Sequence, residues 1–281
     1  MSSEPDGRLV PRRLPRHGPP PSPSGRRRAT LAATLLAVSL LGAVPAWPLD
    51  DPAEGEADGP SIGLELDVAS RYLWRGFAWG DGAVVQPSAW LTHGALWVEL
   101  WSNAERDPDG STFAGWRATE LDFTIGTETT WRGVTITPAL AVYDYHDDED
   151  SPTTAEVLVE LSIPAGPVEV VSSHALDVDE YHGAYYGDLG VAFVRRLGEV
   201  AEARVTGYTG WASQEFTEVY GGVAVGGLFL LGVTAAVEHC LERGPCVRLH
   251  GEATRITRGD LAEAAGGRSR WNVGVAVGHE F

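Results

Sequence analysis

The stretch that most limits what this chain can fold into is its last eleven residues, 271–281, which read WNVGVAVGHEF. Counted back from the terminus, every second side chain is Phe281, His279, Val277, Val275, Val273 and Trp271. Between them lie Glu280, Gly278, Ala276, Gly274 and Asn272. Successive side chains of a strand point to opposite faces, so this is a β-strand with one apolar, aromatic face and one small or polar face. Chain ends ordinarily fray into water. A strand ending on an aromatic residue is expected at a bilayer edge, as the closing strand of a transmembrane β-barrel. A soluble sandwich strand shares the period, so the rest of the chain decides.

The same alternation starts at residue 61 and persists. In 61–69, Ile62, Leu64, Leu66 and Val68 oppose Gly63, Glu65 and Asp67. In 120–128, Leu121, Phe123 and Ile125 oppose Glu120, Asp122, Thr124 and Glu128; in 156–163, Val157, Val159, Leu161 and Ile163 oppose Glu156, Leu158, Glu160 and Ser162. Similar runs occupy 84–92, 95–103, 134–145, 168–177, 187–196, 200–208, 218–225, 229–238 and 247–254. Lengths near ten residues suit tilted strands crossing a bilayer, and no helical period competes. Thirty-four glycines suit a tightly turning β protein.

The connections alternate too. Short ones fall at 93–94, 130–132, 164–166, 198–199 and 226–227; long polar ones fall at 72–83, 104–116, 146–153, 178–185 and 212–217. Short turns on one side and long loops on the other mark an outer-membrane barrel, periplasm below and exterior above. Trp101, Trp116, Tyr143, Tyr145, Tyr185, Tyr186, Trp211 and Trp271 sit near the long loops, Trp131 and Phe281 near the short turns, predicting two aromatic girdles. The candidate strands number thirteen, whereas single-chain bacterial barrels have an even number. An all-β, antiparallel up-and-down barrel of twelve strands is therefore expected, with 247–254 assigned to a long external loop. Fourteen strands is the alternative.

Upstream of the barrel the composition changes. Residues 1–28 are basic and proline-rich, 29–44 are apolar, and Val44-Pro45-Ala46 supplies the small residues a signal peptidase needs. Residues 1–46 read as a secretory signal peptide with a long basic start, cleaved near Ala46. Arg27-Arg28-Ala29-Thr30-Leu31 faintly resembles a twin-arginine motif, but Sec export is expected because barrels cross the inner membrane unfolded. Residues 47–60 are an acidic linker, and 61–281 are the barrel.

All 21 basic residues are arginine. Residues 47–281 carry 14 of them against 37 acids, a formal charge of −23. Such a surface excludes nucleic acid as a partner. The expected partners are outer-membrane lipid, lipopolysaccharide cross-linked by divalent ions, the barrel assembly machinery and small solutes; no cofactor is implied. Cys240 and Cys246 stand alone at C-x5-C spacing, which points to a small disulfide in an oxidising compartment and, in the twelve-strand reading, staples that external loop.

Residues 70–86 read SRYLWRGFAWGDGAVVQ, followed downstream by Glu120-Leu121-Asp122 and Tyr143-Asp144-Tyr145. This resembles the TorF porin family, whose pattern has a strand ending in Ser-x-Tyr-x-x-Arg-Gly, a Glu-Leu-Asp strand and a strand ending in paired tyrosines. Ser70, Tyr72, Arg75 and Gly76 match, and the likeness spans roughly 61–197. It implies an outer-membrane barrel with a pore and supplies no solute.

If the apolar faces meet lipid, the lumen receives Glu65, Asp67, Glu99, Glu120, Asp122, Glu128, Glu156, Glu160, Glu169, Glu202, Glu218 and Glu238, with Arg204, Arg248 and His250. Carboxylate rows along a pore favour cations, unless arginines and waters fill a narrow interior. Arg71 and Arg75, around Tyr72 and Trp74, either form a constriction at the first external loop or neutralise the acidic wall beside it. The acidic run 146–150 reads as a solvated loop, lacking the spacing of a calcium loop. Ser172, Ser173 and His174 make no nucleophile–base pair without a third orienting group. No nucleophile elbow or phosphate-cradling glycine loop is visible, so an enzyme is not expected. Phe281 is the expected assembly signal, with His279 where an apolar or aromatic residue is usual.

Overall fold

The computed structural model describes residues 59–80, 82–106, 115–145, 151–241 and 244–281. The expected signal peptide, nearly all of the expected linker and the acidic run 146–150 lie outside them. Strand β1 (Ser61–Ala69) leads through the hairpin β2 (Tyr72–Trp74) and β3 (Phe77–Trp79) to β4 (Val84–His93). There follow β5 (Leu96–Arg106), β6 (Trp116–Thr127), a short β7 (Thr129–Trp131), β8 (Val134–Asp144), β9 (Thr154–Ala165) and β10 (Val168–Asp177). Next come β11 (Tyr185–Arg196), β12 (Ala201–Ala212), helix α1 (Gln214–Gly221), β13 (Gly227–Cys240), β14 (Cys246–Ile256), helix α2 (Gly259–Ala264) and β15 (Ser269–Glu280).

Each long strand pairs antiparallel with its sequence neighbour, β6 reaches β8, and β15 returns to β1. β1, β4–β6 and β8–β15 thus close a ring of twelve, which leaves no strand edge unpaired. The seam runs from Gly63↔Glu280 to Ala69↔Gly274, and the Phe281 amide donates to the Ile62 carbonyl at 2.8 Å.

The ring is apolar outside and ionisable inside. Ile62, Leu64, Leu66 and Val68 are 40–51% exposed, whereas Asp67 between them is 5% exposed. Val273, Val275, Val277 and Phe281 also lie on the exposed face. This is the inverse of a water-soluble barrel, whose apolar residues fill the core.

Several details differ from the sequence reading. Twelve strands is right, but the extra candidate was misplaced. The 218–225 segment is no strand: α1 occupies its first half, so Glu218 is helical, and the rest is irregular. Ser213 caps α1 by accepting from the Phe216 amide, Gly222 ends it at φ 72°, and Phe216 is fully buried. Two helical turns are too short for a period to stand out against an alternating background. The 247–254 segment is β14, a full member of the ring. Cys240 and Cys246 are joined by a disulfide and pair directly across β13 and β14, at the short-turn end and not in a long loop. Residues 226–227 lie at the long-loop end, where β13 starts.

The girdle expectation also needs division. Tyr185, Trp211 and Trp271 lie on the outer face, while Trp101, Tyr143 and Tyr186 point into the ring: Trp101 meets Tyr72, Tyr143 bonds Glu156, and Tyr186 packs against Phe216. Position along a strand places an aromatic at one end of the barrel; only the parity of its register says whether it faces lipid or lumen.

Candidate functional site: the lumen

The external half of the lumen is organised by the hairpin between β1 and β4. Trp74 pairs with Phe77, and between them Arg75 (φ 46°) and Gly76 (φ 85°) form a two-residue turn with both φ positive. That is the primed geometry whose twist suits a tight hairpin. Gly76 is required twice over, since a Cβ there would sit 2.5 Å from Leu230 of β13. The root is held by β15: the Ser70 amide donates to the Val273 carbonyl at 2.8 Å, and Asn272 donates to the Arg71 carbonyl at 3.5 Å.

From this turn Arg75 crosses to the opposite wall. Its Nη1 and Nη2 donate to the two carboxylate oxygens of Glu156 on β9, both at 2.7 Å, and the Tyr143 hydroxyl donates to Glu156 Oε2 at 2.6 Å. The two side chains of the ion pair are 3% and 1% exposed. The guanidinium lies 4.3 Å from the Trp74 ring centre and 5.1 Å from that of Tyr186. Burial opposes its charge, and the Glu156 carboxylate outweighs burial, so Arg75 holds its proton more tightly than usual. Arg75 thus meets a carboxylate of the wall from a turn folded inside the ring.

Around this pair Trp74, Phe77, Tyr186, Phe216, Phe229 and Leu261 bring the hairpin, α1, α2 and the ends of β11 and β13 into one buried cluster. Burying such rings contributes about 1.5–3 kcal/mol each, enough to hold the first external loop inside the barrel. On the other side of the hairpin, Glu120 accepts from Tyr72 and Tyr145.

Further toward the short turns, most inward charges are matched. Arg248 meets Glu65 at 2.5 Å, His250 meets Asp67 at 2.9 Å, and Arg204 meets Glu169 at 2.5 Å. Tyr208 donates to Glu252. The Arg204–Glu169 pair is 32% and 26% exposed, in contrast to Arg75–Glu156 and to Arg248–Glu65. Glu99 and Glu160 are different. Both are on inward registers, opposite Trp90 and Ser173, and among the described residues no hydrogen bond or ion pair reaches either carboxylate. Glu128 falls between β6 and β7, exposed at the rim and off the barrel wall.

The Ser172–His174 contact, 3.1 Å, lies on the outer face. His174 Nδ1 contacts the Tyr185 hydroxyl at 2.8 Å and its ring packs edge-on to Trp211. Among the described residues no carboxylate orients the imidazole, and Ser172 donates to the Asp188 carbonyl. Ser173, one residue along, faces inward opposite Glu160, so the two serines lie on opposite sides of the wall.

Fold and lumen together define the class: a closed twelve-stranded barrel, apolar outside and polar inside. No protein-family model matches this chain, and no curated protein does. Among solved structures, the NanC porin is similar over 76% of this chain and 98% of its own, at 10% identity and TM-score 0.46. An outer membrane channel from Pseudomonas putida F1 is similar over 83% and 100%, at 9% identity and TM-score 0.47. The KdgM porin is similar over 77% and 97%, at 6% identity and TM-score 0.44. Likenesses this distant assign neither a family nor a function to this chain.

Proposed function

We propose that this protein is an outer-membrane channel passing small cationic or neutral solutes. It would be exported with cleavage near Ala46, embedded among outer-membrane lipid and lipopolysaccharide, and delivered by the assembly machinery through a signal at Phe281. The apolar outer face supports the membrane setting, since a ring with Leu64 and Val273 about half exposed has no stable place in water. Twelve strands enclose more space than eight, whose interior side chains fill, and less than the wide aqueous channel of sixteen.

One observation carries the reading: Glu99 and Glu160 are inward carboxylates without a cationic partner among the described residues. Paired charges such as Arg248–Glu65 largely cancel, whereas unpaired ones leave a negative field along the lumen. The folded-in hairpin narrows the external half, which limits passage to small solutes. Catalysis is not part of this reading. The test is single-channel recording of the refolded protein in planar bilayers. Discrete steps of current support a channel, and a silent, correctly folded barrel would sink it in favour of a non-conducting scaffold working through its external loops.

A further inference from the structure

Resting on the channel reading, a ligand class follows from the wall beside Glu99. At the short-turn end, three rows cross the wall in register: Ser61↔Thr92↔Trp97↔Gly126, Gly63↔Trp90↔Glu99↔Thr124, and Glu65↔Ser88↔Trp101↔Asp122. Trp90, Trp97 and Glu99 therefore share the lumen face of two adjacent strands, with Glu99 directly opposite Trp90 and next along β5 from Trp97 on that face.

Both indoles lie down on the wall. A Cβ added to Gly63 would sit 1.9 Å from the Trp90 ring, and one added to Gly126 would sit 2.6 Å from the Trp97 ring. Trp90 thus folds over β1 and Trp97 folds the other way over β6, with Glu99 on β5, the strand that carries Trp97 and pairs with that of Trp90. A ring flat against glycine backbone is covered on one face and turns its other face inward. All three side chains are partly exposed. Glu65, in the next row of the wall, is already held by Arg248 at 2.5 Å.

Aromatic faces attract cations through their quadrupole, and recognition of alkylammonium ligands by aromatic cages uses that attraction. A carboxylate without a partner adds the opposite charge, and desolvated apolar rings favour an organic cation over a hydrated metal ion. We infer that Trp90, Trp97 and Glu99 form a binding subsite for small organic cations of the alkylammonium class, at the short-turn mouth of the lumen.

Choline is a suitable probe, with 3,3-dimethylbutanol as its neutral isostere and glucose as a neutral ring-stacking competitor. Binding is read by tryptophan fluorescence of the full chain refolded in detergent, which does not require conduction. Choline should give a saturable change, bound at least tenfold more tightly than dimethylbutanol. Glu99→Gln should weaken it tenfold or more, and Trp97→Ala should abolish it. Gly63→Ala, which pushes Trp90 off the wall without deleting it, should weaken it too. A second reading is block of potassium current by choline added from the short-turn side. Saturable choline binding in a barrel that carries no current would overturn the channel and leave the subsite standing. Current without saturable binding, equal binding of dimethylbutanol, or tighter binding of glucose would each overturn the subsite.

Discussion

Removing the carboxylate that holds Arg75 should release the first external loop. In Glu156→Gln the guanidinium keeps its place beside Trp74 and Tyr186 but loses the carboxylate charge that neutralises it and one of its two oxygen acceptors at 2.7 Å. Leaving one member of a buried pair uncompensated costs about 3–5 kcal/mol. Trp74 and Phe77 remain buried against Phe216 and Phe229, so the hairpin still favours the inside. The population of the displaced hairpin nonetheless rises roughly a hundred- to several-thousand-fold, at tenfold per 1.4 kcal/mol. Trypsin reads this directly, because Arg75 is 5% exposed and can be cut only when the hairpin leaves. When opening is fast relative to cleavage, the cleavage rate follows the open population. Mass spectrometry of the fragment ending at Arg75 should show cleavage accelerated at least a hundredfold in Glu156→Gln. A rate equal to wild type would refute the idea that the ion pair holds the loop. The paired change Arg75→Met with Glu156→Leu should leave the hairpin nearly as well held as in wild type, since an apolar pair of similar volume often replaces a buried ion pair without loss.

Three further outcomes follow. Leu66→Arg, midway along the outer face of β1, should destabilise the barrel in lipid by about 2–4 kcal/mol, measured by urea titration in vesicles. A loss under 0.5 kcal/mol would mean that this face does not meet lipid. Replacing Cys240 and Cys246 with serine should cost about 2 kcal/mol, the loop-closure entropy of a short cross-linked turn, with single-channel current unchanged. Phe281→Ser should slow assembly into the outer membrane, read as protein lost from the membrane fraction, while the protein refolded in detergent keeps its strand content by circular dichroism.

Much of the ring was legible because period two is a strong signal when one face meets lipid and the other water. Ile62 to Val68 declared both the strand and its facing. What was hidden has specific physical causes. Residues 218–225 alternate by accident, and their helix is fixed by tertiary burial of Phe216 and by caps at Ser213 and Gly222. The parity rule was sound but removed the wrong segment, which then carried the cysteines with it to the wrong end of the barrel. The Trp74-Arg75-Gly76-Phe77 run is a turn signature of the same kind as Trp131-Arg132-Gly133-Val134, where Arg132 (φ 53°) and Gly133 (φ 80°) adopt the same geometry at the exposed rim. Local sequence specifies that turn in both places; only the closed ring puts one of them inside and gives its arginine a partner 81 residues away. The flat indoles left a trace that could have been followed. Isolated glycines within strands, such as Gly63 and Gly126, mark places where something approaches the backbone closely.

On the channel reading, the unpaired carboxylates Glu99 and Glu160 set the selectivity of the lumen. This is tested most directly by the reversal potential of the refolded protein in a planar bilayer under a tenfold potassium chloride gradient. Wild type should reverse at a potential of the sign set by potassium, and Glu99→Gln with Glu160→Gln should move it toward zero. Glu65→Gln, whose carboxylate is already matched by Arg248, should move it less. A reversal potential of the sign set by chloride, or one unmoved by the paired substitution, would contradict the account.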